Sequence, residues 1–600
     1  MNYTKGQTIM IGYINDLKPT KKNKKLKKDD LIFGQNTYLK ISKKQMLNNN
    51  TVVIGSSGTG KTESYVIPNL LQGNANYVVA DAKGQILKDT YYSLKKMGYD
   101  IQVLNLIDLD HSMTYNPLAL LNSDSDVRRF SHDVEGVNIA KNSSGNISPY
   151  WDNAASNLLT ALILYVKAVS PKQQQTMHNV TTLFNWITES DINKIMSDLD
   201  PDKMIGTSFK VTDINSKTDA YLANLLFNGL PQKDMNIKQI WNSFYSVINA
   251  DVTTGGILST LSAALIPWQT TEMQNLTAEN PQTAIDFHKL LTAKSAIFVM
   301  YDDSDKTKNF LFNTFYSQLI DFLYKQSYRQ ANGQLENKVR FFLDDFKNIE
   351  IDGFDDYLAT ARSHNIEYSI MLQDESQLKA KFGINWSSVL GNCHNYLFTG
   401  TIDLNMAKTA AVRFNKSIAE IRQLDPDNFL IDVAGRLQET KRYNYHMHPN
   451  YVKKTYNLTN VVTKADKIDY SVWFDLISKA PNVKMINLKQ EIEKQQQEKK
   501  QADQKQREKE QQYAKLGSDL QQLIMDVSNV DSPQSERIKA IDKMKQILDE
   551  CLTISDLNDL TAIYRYTTPN TAINVGYDAQ AVAKFVTDLI DKYPLTQSDK

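Results

Sequence analysis

The feature that most constrains this chain is the octapeptide GSSGTGKT at residues 55–62. It matches the pattern G-x-x-x-x-G-K-[ST], follows the short β-branched segment Thr51–Ile54 and opens a segment with helical spacing. Glycines in such a loop let backbone N–H groups curl around phosphate oxygens, and the following helix directs its positive end at the same anion. A chance glycine-rich turn does not explain both flanking elements. We therefore expect a phosphate-binding loop, called the P-loop below.

The P-loop predicts a site for ATP and Mg²⁺. Lys61 is expected to reach the β- and γ-phosphates, and the Thr62 hydroxyl is expected to ligate Mg²⁺. The other residues of the loop are predicted to hold the phosphates, and they are Gly55, Ser56, Ser57, Gly58, Thr59 and Gly60.

A magnesium site of this kind needs a carboxylate at the end of a buried strand. The strand-like segment Val339–Leu343 is followed by Asp344 and Asp345. We predict that Asp344 holds Mg²⁺ through water and that Asp345 orients or deprotonates the attacking water. An acidic loop after a strand carries little weight alone, but beside a P-loop it becomes a candidate catalytic pair. Other acidic strand ends compete with it, namely Asp81 and the pair Asp302 and Asp303.

Strand-like segments lie on both sides of a helical region. Buried strands are predicted at residues 51–54, 76–80, 100–104, 296–300, 339–343, 368–372 and 396–399. Residues 166–285 show helical spacing instead, which indicates an all-alpha insertion between two groups of strands. Alternating strands and helices favour a parallel sheet with right-handed crossovers. The expected fold class is α/β with a parallel-rich central sheet.

A chain of 600 residues is too long for one ordinary core, so several domains are expected. Residues 489–512 are almost entirely Lys, Gln, Glu and other polar residues, which predicts a solvated helix or a linker. The expected division is a basic N-terminal arm at 1–33, a nucleotide-binding domain at 34–165 and 286–465, an all-alpha inserted domain at 166–285, a charged linker helix at 466–516 and a small helical C-terminal domain at 517–600.

The basic arm carries seven lysines between Lys18 and Lys28. Two interpretations stay open, a solvated flexible arm or contact with anionic lipid or nucleic-acid phosphate. The sequence contains no run of 18 apolar residues and no secretory signal pattern at its start. We therefore expect a cytoplasmic protein without a transmembrane segment.

Composition excludes several other classes of protein. Lys and Arg together number 68, as do Asp and Glu, so net charge indicates no acidic or basic partner. Only two cysteines are present, which excludes a disulfide scaffold and a four-cysteine zinc site. Cys393 beside His394 is interpreted as packing rather than a catalytic dyad, and the spacing of His446 and His448 is interpreted as chance rather than metal binding.

Two further polar residues are weak candidates for a role in hydrolysis. Arg362 lies in the segment ATARS, and Gln373 follows the next predicted strand. In an oligomeric ATPase, an arginine can reach the nucleotide of a neighbouring subunit, and a polar group at a strand end can sense the γ-phosphate. Most arginines on helices are only solvated or paired cations.

A family resemblance rests on the order of several motifs along residues 33–440. They are Phe33-Gly34, the P-loop, VADAKG at 79–84, YNP at 115–117, Trp151-Asp152, LDDF at 343–346, LATARS at 358–363, Leu372-Gln373, LGNC at 390–393 and TGT at 399–401. This order resembles the TraG-like type IV secretion coupling proteins, the DNA-transfer ATPases of conjugation in the wider FtsK/HerA class.

The resemblance implies a RecA-like P-loop NTPase fold with an inserted all-alpha domain, assembled as a homo-hexamer. It implies that ATP hydrolysis drives DNA, single-stranded and bound to a relaxase, into a type IV secretion channel. Channel proteins are then partners, and the protein works peripherally at the inner face of the plasma membrane. DNA-contacting residues are not identified.

Two departures from the family pattern are visible. Transmembrane helices usually open such chains and are missing here, which suggests a separate membrane-anchor protein or the lysine arm as the tether. The residue after Asp344 is usually Glu, whereas this chain has Asp345. Two alternatives therefore stay open. One is an ATP-binding docking platform with little hydrolysis, and the other is an FtsK-like pump for double-stranded DNA.

Overall fold

The structure is a computed structural model, and it describes residues 26–40, 47–142, 149–189, 191–211, 220–248, 250–457, 471–479, 483–528 and scattered residues between 531 and 546. The chain divides into two compact units. The first unit is Met1–Asp202 with Val211–Lys484, and the second is Lys203–Lys210 with Met485–Lys600.

Thirteen strands are found among the described residues. They are β1 Asp30–Gly34, β2 Thr37–Lys40, β3 Thr51–Ile54, β4 Asn76–Asp81, β5 Asp100–Asn105, β6 Thr207–Val211, β7 Ser295–Met300, β8 Val339–Leu343, β9 Ile366–Leu372, β10 Asn395–Phe398, β11 Asn428–Val433, β12 Arg436–Lys441 and β13 Val483–Asn487.

Helices connect most of these strands. They are α1 Ile67–Leu71, α2 Gln85–Lys96, α3 Asp124–Asn142, α4 Pro149–Val169, α5 Met177–Asn185, α6 Ile192–Leu199, α7 Tyr221–Asn228, α8 Met235–Tyr245, α9 Asp251–Leu265, α10 Thr271–Leu276, α11 Lys289–Thr292, α12 Asn309–Tyr328, α13 Phe354–Thr360, α14 Ser376–Phe382, α15 Trp386–Gly391, α16 Leu404–Phe414, α17 Ile418–Arg422, α18 Ser471–Ser478 and α19 Leu488–Ser528.

The first unit is built on one large sheet. Within the described residues its strand order is β12-β11-β10-β3-β9-β8-β4-β7-β5. The seven strands from β10 to β5 pair in parallel, and the β11–β12 hairpin adds two antiparallel strands at one edge. The predicted α/β fold with a parallel-rich sheet is confirmed, and all seven predicted strands are present within two residues of their expected ends.

A continuous apolar core covers the face of the sheet on which the P-loop helix packs. Val53, Val79 and Phe342 of the sheet are fully buried against residues of α1 and the turn before it, such as Tyr65 and Leu70. Each such side chain stabilises the fold by about 1.5–3 kcal/mol relative to exposure. The packing therefore holds the start of α1 rigidly over the carboxyl ends of the parallel strands.

Residues 166–285 form helices α5 to α10, with one addition to the expected all-alpha pattern. The strand β6 lies within this region, in the segment TSFKV, and pairs with β13. Thr, Phe and Val favour a strand, and β13 supplies the pairing edge. The apolar helix α4 runs without a break through the predicted boundary between residues 165 and 166.

The second unit contains the long helix α19. It covers only residues 488–516 of the charged linker helix predicted at 466–516, because residues 471–478 form α18 and residues 483–487 form β13. It also continues through the predicted boundary between residues 516 and 517. Lys, Gln and Glu are good helix formers, and the single Gly517 at that boundary costs only about 1 kcal/mol, so the helix continues. The predicted C-terminal domain from 517 lies largely outside the described residues, as does most of the basic arm.

Among the residues described, no helix has both the length and the apolar character to cross a bilayer.

A cluster of charged side chains joins the neighbouring strands β8 and β9. Arg340 of β8 and Glu367 of β9 are cross-strand partners, and the Nε and Nη2 atoms of Arg340 donate to Glu367 Oε2 at 2.8 and 2.6 Å. The Lys338 ammonium lies 2.7 Å from Glu367 Oε1. Burial alone would raise the pKa of Glu367, but Arg340 and Lys338 outweigh burial and lower that pKa to about 2.

We expect Glu367→Gln to lower the free energy of unfolding by about 3–5 kcal/mol at pH 7, because it leaves the buried Arg340 and the partly buried Lys338 without their counter-charge. The wild-type carboxylate contributes stability that is fully present above its unfolded pKa of about 4.3 and is lost as pH falls towards 2. Urea titrations at pH 7 and pH 3 measure both effects. Glu336→Gln, at an exposed position nearby, is the matched control. Equal unfolding midpoints for the two variants at pH 7 would contradict the prediction.

Candidate functional site

The P-loop connects β3 to a helix, as predicted. The helix begins with a π-helical turn at Thr62–Val66 and continues as α1. Gly58 and Gly60 have φ values of +78° and +86°, which L side chains rarely adopt, so the loop depends on glycine at both positions. Lys61 Nζ donates to the carbonyls of Gly55 and Ser56 at 2.6 and 3.0 Å, so its ammonium lies over the loop.

A second loop, Thr399–Thr401 after β10, packs directly on the P-loop. Thr399 Oγ1 is 2.7 Å from Thr59 Oγ1, and the Ser56 N–H donates to the Gly400 carbonyl at 3.1 Å. A Cβ at Gly55 would lie 2.0 Å from Thr399 Oγ1, so this close approach requires glycine at position 55. The TGT motif therefore supports the shape of the P-loop, a role that sequence reasoning did not assign to it.

The predicted magnesium ligands meet in the structure. Thr62 Oγ1 donates to Asp344 Oδ2 at 2.9 Å, although the two residues are 282 positions apart. They meet because β8, which ends just before Asp344, is separated from β3 only by β9. A hydroxyl and a carboxylate at one edge of a sheet are hard oxygen donors of the type that Mg²⁺ prefers. This donor set fits the metal.

Lys61 interacts electrostatically with Asp344 and Asp345. Burial, reinforced by the charge of Asp345, raises the pKa of Asp344, while the Thr62 hydroxyl, the Asp345 N–H and Lys61 oppose the rise. Burial lowers the pKa of Lys61, and Asp344 and Asp345 oppose that shift. One ammonium thus faces two carboxylates in a partly buried site. The ammonium offsets part of the cost of burying Asp344 and of the repulsion between the two carboxylates.

Asp345 has an unusual backbone conformation. Its φ and ψ are +46° and +49°, in the left-handed region that Asp and Asn tolerate better than most residues. Its N–H donates to Asp344 Oδ1 at 3.1 Å, and the Tyr301 hydroxyl donates to the Asp344 carbonyl at 2.9 Å. These contacts fix the turn that follows β8 and thereby the direction of the Asp345 side chain.

Two of the competing acidic residues, Asp81 and Asp302, have other partners. Asp81 is buried at the end of β4, and its Oδ2 accepts from the Leu87 N–H at 2.9 Å in the first turn of α2. Burial raises the pKa of Asp81 to about 6. Asp302 is exposed and accepts from the N–H and the hydroxyl of Ser304 at 2.8 and 2.6 Å. Asp81 thus caps a helix and Asp302 closes a turn, which leaves Asp344 as the carboxylate beside Thr62.

The structure brings Gln373 to the site and keeps Arg362 away from it. Gln373 directly follows β9, whose last residue pairs with Ile54 of β3, so it lies beside the start of the P-loop. Its N–H donates to Gln377 Oε1 at 3.1 Å. Arg362 is exposed and precedes the other end of β9, about 20 Å from the P-loop edge of the sheet.

The remaining sequence motifs have structural partners. Burial raises the pKa of the Cys393 thiol to about 12, and His394 Nδ1 accepts from the Asn48 N–H at 2.7 Å. His448 is buried, and both of its ring nitrogens have partners, with Nε2 3.2 Å from Gln72 Oε1 and Nδ1 accepting from the Asn450 N–H at 3.2 Å. Burial lowers its pKa to about 4, so the ring is neutral. No cluster of three or more potential metal ligands of the His, Cys, Asp or Glu type occurs among the described residues.

Sequence reasoning also missed Arg442, which follows β12. Its guanidinium lies against Gly60 of the P-loop, and its Nε donates to Ser64 Oγ at 3.3 Å. No local motif marks this residue, because its proximity to the P-loop depends on how the β11–β12 hairpin joins the sheet.

Comparison with known proteins gives one family and several similar folds. The family model described as type IV secretory system conjugative DNA transfer matches residues 10–414, about two thirds of the chain. No curated protein sequence matches.

Three solved structures illustrate the likeness in fold. The bacterial conjugative coupling protein TrwBdeltaN70, in its unbound monoclinic form, has 13% sequence identity and a TM-score of 0.47, over 74% of this chain and 93% of its own. The plasmid coupling protein TrwB in complex with ADP and Mg²⁺ has 13% identity and a TM-score of 0.45, over 72% and 93%. VirB4 of Thermoanaerobacter pseudethanolicus has 12% identity and a TM-score of 0.39, over 69% and 96%.

Proposed function

This chain belongs to the type IV secretory system conjugative DNA transfer family, and from that membership we propose that it is an ATP-dependent DNA translocase that serves as a coupling protein. It recruits a relaxase bound to single-stranded DNA to a type IV secretion channel and drives transfer by ATP hydrolysis. The active form is a homo-hexamer at the inner face of the plasma membrane, where channel proteins and a separate membrane-anchor protein are its partners.

The observation that carries this proposal is the hydrogen bond between Thr62 and Asp344. Any glycine-rich turn can bind an anion, but a P-loop hydroxyl beside a strand-end carboxylate is the arrangement that ATP hydrolysis with a metal requires. Thr62 and Asp344 would hold Mg²⁺, which when bound neutralises charge on the phosphates. This pairing therefore supports an ATPase rather than a simple phosphate-binding protein.

Different residues of the chain have different roles in ATP hydrolysis. The P-loop N–H groups and Lys61 bind and orient the phosphates of ATP. Asp345 orients or deprotonates the attacking water, and Gln373, at the strand end beside the P-loop, senses the γ-phosphate. Both follow strands that end at the same edge of the sheet as β3, which leads into the P-loop.

A second candidate function is an ATP-binding docking platform with little hydrolysis. Asp345 favours it, because its carboxylate is one methylene shorter than the glutamate usual in the family and its backbone is held at φ +46°. In this alternative ATP binding supports assembly, and protein partners bind the helical regions.

The test of these two functions is ATP turnover by the full chain with Mg²⁺, with and without DNA, beside a size measurement. A translocase is expected to hydrolyse ATP faster when single-stranded DNA is added and to form hexamers under the same conditions. Double-stranded DNA of equal length serves as the second arm. ATP binding without turnover in any arm would reject the translocase and favour the docking platform.

Arg362 provides a further prediction, because it lies at the sheet edge remote from its own P-loop. If it acts on a neighbour's nucleotide, the DNA-stimulated turnover of Arg362→Ala should be lower than that of the unaltered chain by about 10³-fold or more, since that is the range for a trans-acting arginine. ATP binding by each protomer should be unchanged. Arg507→Ala, at an exposed position on α19, is the matched control and should keep wild-type turnover.

Mixed assemblies distinguish a trans role from a role within one chain. Arg362→Ala protein retains an intact P-loop, and Lys61→Ala protein retains an intact arginine. Some interfaces in a mixed hexamer therefore contain both, and mixing the two inactive variants should restore part of the turnover. If mixed oligomers form and no ratio restores activity, Arg362 does not act between subunits.

A further inference from the structure

Arg442 occupies the space beside the P-loop where a side chain at residue 60 would stand. A Cβ built on Gly60 would lie 1.6 Å from Arg442 Nη2, 2.5 Å from Cζ and 2.9 Å from Nε. The guanidinium therefore lies against the Cα of Gly60, the residue immediately before Lys61. No other side chain among the described residues comes as close to this glycine.

The fold directs Arg442 to this position. β12 runs parallel to β10, because each is antiparallel to β11, so β12 ends at the same edge of the sheet as β3. Arg442 is the first residue after β12, and its N–H donates to the Asp427 carbonyl at 2.7 Å. The backbone of Lys441 is also fixed, since its carbonyl accepts from the Gln35 N–H at 2.8 Å.

Neutral groups hold the side chain of Arg442. Its Nε donates to Ser64 Oγ at 3.3 Å, and its Cζ lies 5.7 Å from the ring centroid of Phe429. Within the described part of the chain, Arg442 forms no salt bridge with a carboxylate. A partly buried cation thus lies next to the residue before Lys61, and the carboxylates that face Lys61 do not pair with it.

We propose that Arg442 is a second cation of the nucleotide site, which binds the phosphate chain of a nucleoside triphosphate from within the same subunit. This inference rests on the proposed ATPase function and extends it. Guanidinium groups bind phosphate through charge-assisted hydrogen bonds, and one that is already positioned loses little freedom on binding. Ser64 and Phe429 position the group, while its Nη atoms supply the donors to the phosphate.

The role differs from that predicted for Arg362. Arg442 acts on the P-loop of its own chain and contributes to nucleotide affinity in a single protomer. Arg362 is proposed to act across a subunit interface and to affect turnover. Binding measurements on the protomer should therefore respond to substitution of Arg442 and not to substitution of Arg362.

The test is equilibrium binding to the full chain in the presence of Mg²⁺, with a non-hydrolysable ATP analogue and inorganic tripolyphosphate as separate probes. Arg442→Gln is expected to weaken binding of both probes by about 10- to 100-fold, the effect of losing a hydrogen bond to a charged group. Arg442→Lys, which keeps the charge, should recover part of the affinity for both. Lys441→Gln removes the same charge at the exposed neighbouring position and should change binding less than about twofold.

The outcomes separate the inference from the function on which it rests. Failure of the unaltered chain to bind the ATP analogue would overturn the proposed function itself. If the unaltered chain binds and Arg442→Gln binds equally well, Arg442 is not part of the site. Weakened binding of the ATP analogue with unchanged tripolyphosphate binding would also overturn the proposal, because the contact would then be to the base or the ribose. A lower thermal midpoint for Arg442→Gln than for Lys441→Gln without nucleotide, and no recovery in Arg442→Lys, would assign Arg442 a structural role instead.

Discussion

Lys61→Ala is expected to reduce ATP turnover by at least about 10²–10³-fold, the loss typical of removing one preorganised donor from a reacting group. Lys61 Nζ lies over the P-loop, 2.6 Å from the Gly55 carbonyl, and its charge is held there by Asp344 and Asp345. Alanine leaves the glycine-dependent loop intact but removes the cation from the γ-phosphate. Steady-state turnover with saturating ATP and Mg²⁺ measures the effect.

Lys96→Ala is the matched control, because Lys96 is an exposed lysine at the end of α2 in the same unit. It should keep wild-type turnover, and both variants should keep the thermal midpoint of the unaltered chain. Hydrolysis by Lys61→Ala at the wild-type rate would show that the P-loop is not the site of turnover.

Asp345→Asn is expected to bind ATP normally and to lose about 10²–10⁴-fold in turnover, the range for removing a general base. Asparagine has the same size as aspartate and also tolerates the left-handed conformation at φ +46°, so the turn after β8 should persist. Only the proton-accepting charge is lost. Nucleotide binding and turnover, measured on the same preparation, separate the two effects.

Asp345→Glu tests whether position or basicity limits the reaction. The two carboxylates have nearly equal pKa values in model peptides, so basicity changes little. Glutamate suits the left-handed backbone less well and reaches one methylene further, and we therefore expect slower turnover than in the wild type. Faster turnover would mean that the shorter side chain limits the natural reaction. Normal turnover by Asp345→Asn would make Asp345 a structural carboxylate, and Asp81 and Asp302 would be the next candidates for the base.

Much of the central sheet was predictable because its strands are buried on both faces. Segments such as Thr51–Ile54 and Val339–Leu343 are short, apolar and β-branched or aromatic, and a parallel sheet covered by helices requires that composition. The P-loop was predictable for a related reason, since its glycines are required by local backbone geometry. Each of these two sequence signals spans only a few consecutive residues.

The limits of the helical segments were less predictable. α4 continues through its expected boundary because helix formers follow one another there with no glycine or proline. α19 continues through Gly517, because one glycine inside a long helix costs only about 1 kcal/mol relative to alanine. The strand β6 was missed inside a helical region, since its pairing partner β13 lies more than 270 residues further along the chain.

The sequence alone determined the class of fold, the position of the P-loop and the strand that ends at Asp344, because these depend on local composition and backbone geometry. The tertiary structure decided which distant residues meet at the P-loop. The order of strands in the sheet places Thr62 against Asp344, packs the loop Thr399–Thr401 on the P-loop and directs Arg442 to Gly60. Strand order results from the packing of the whole core, and no local segment encodes it.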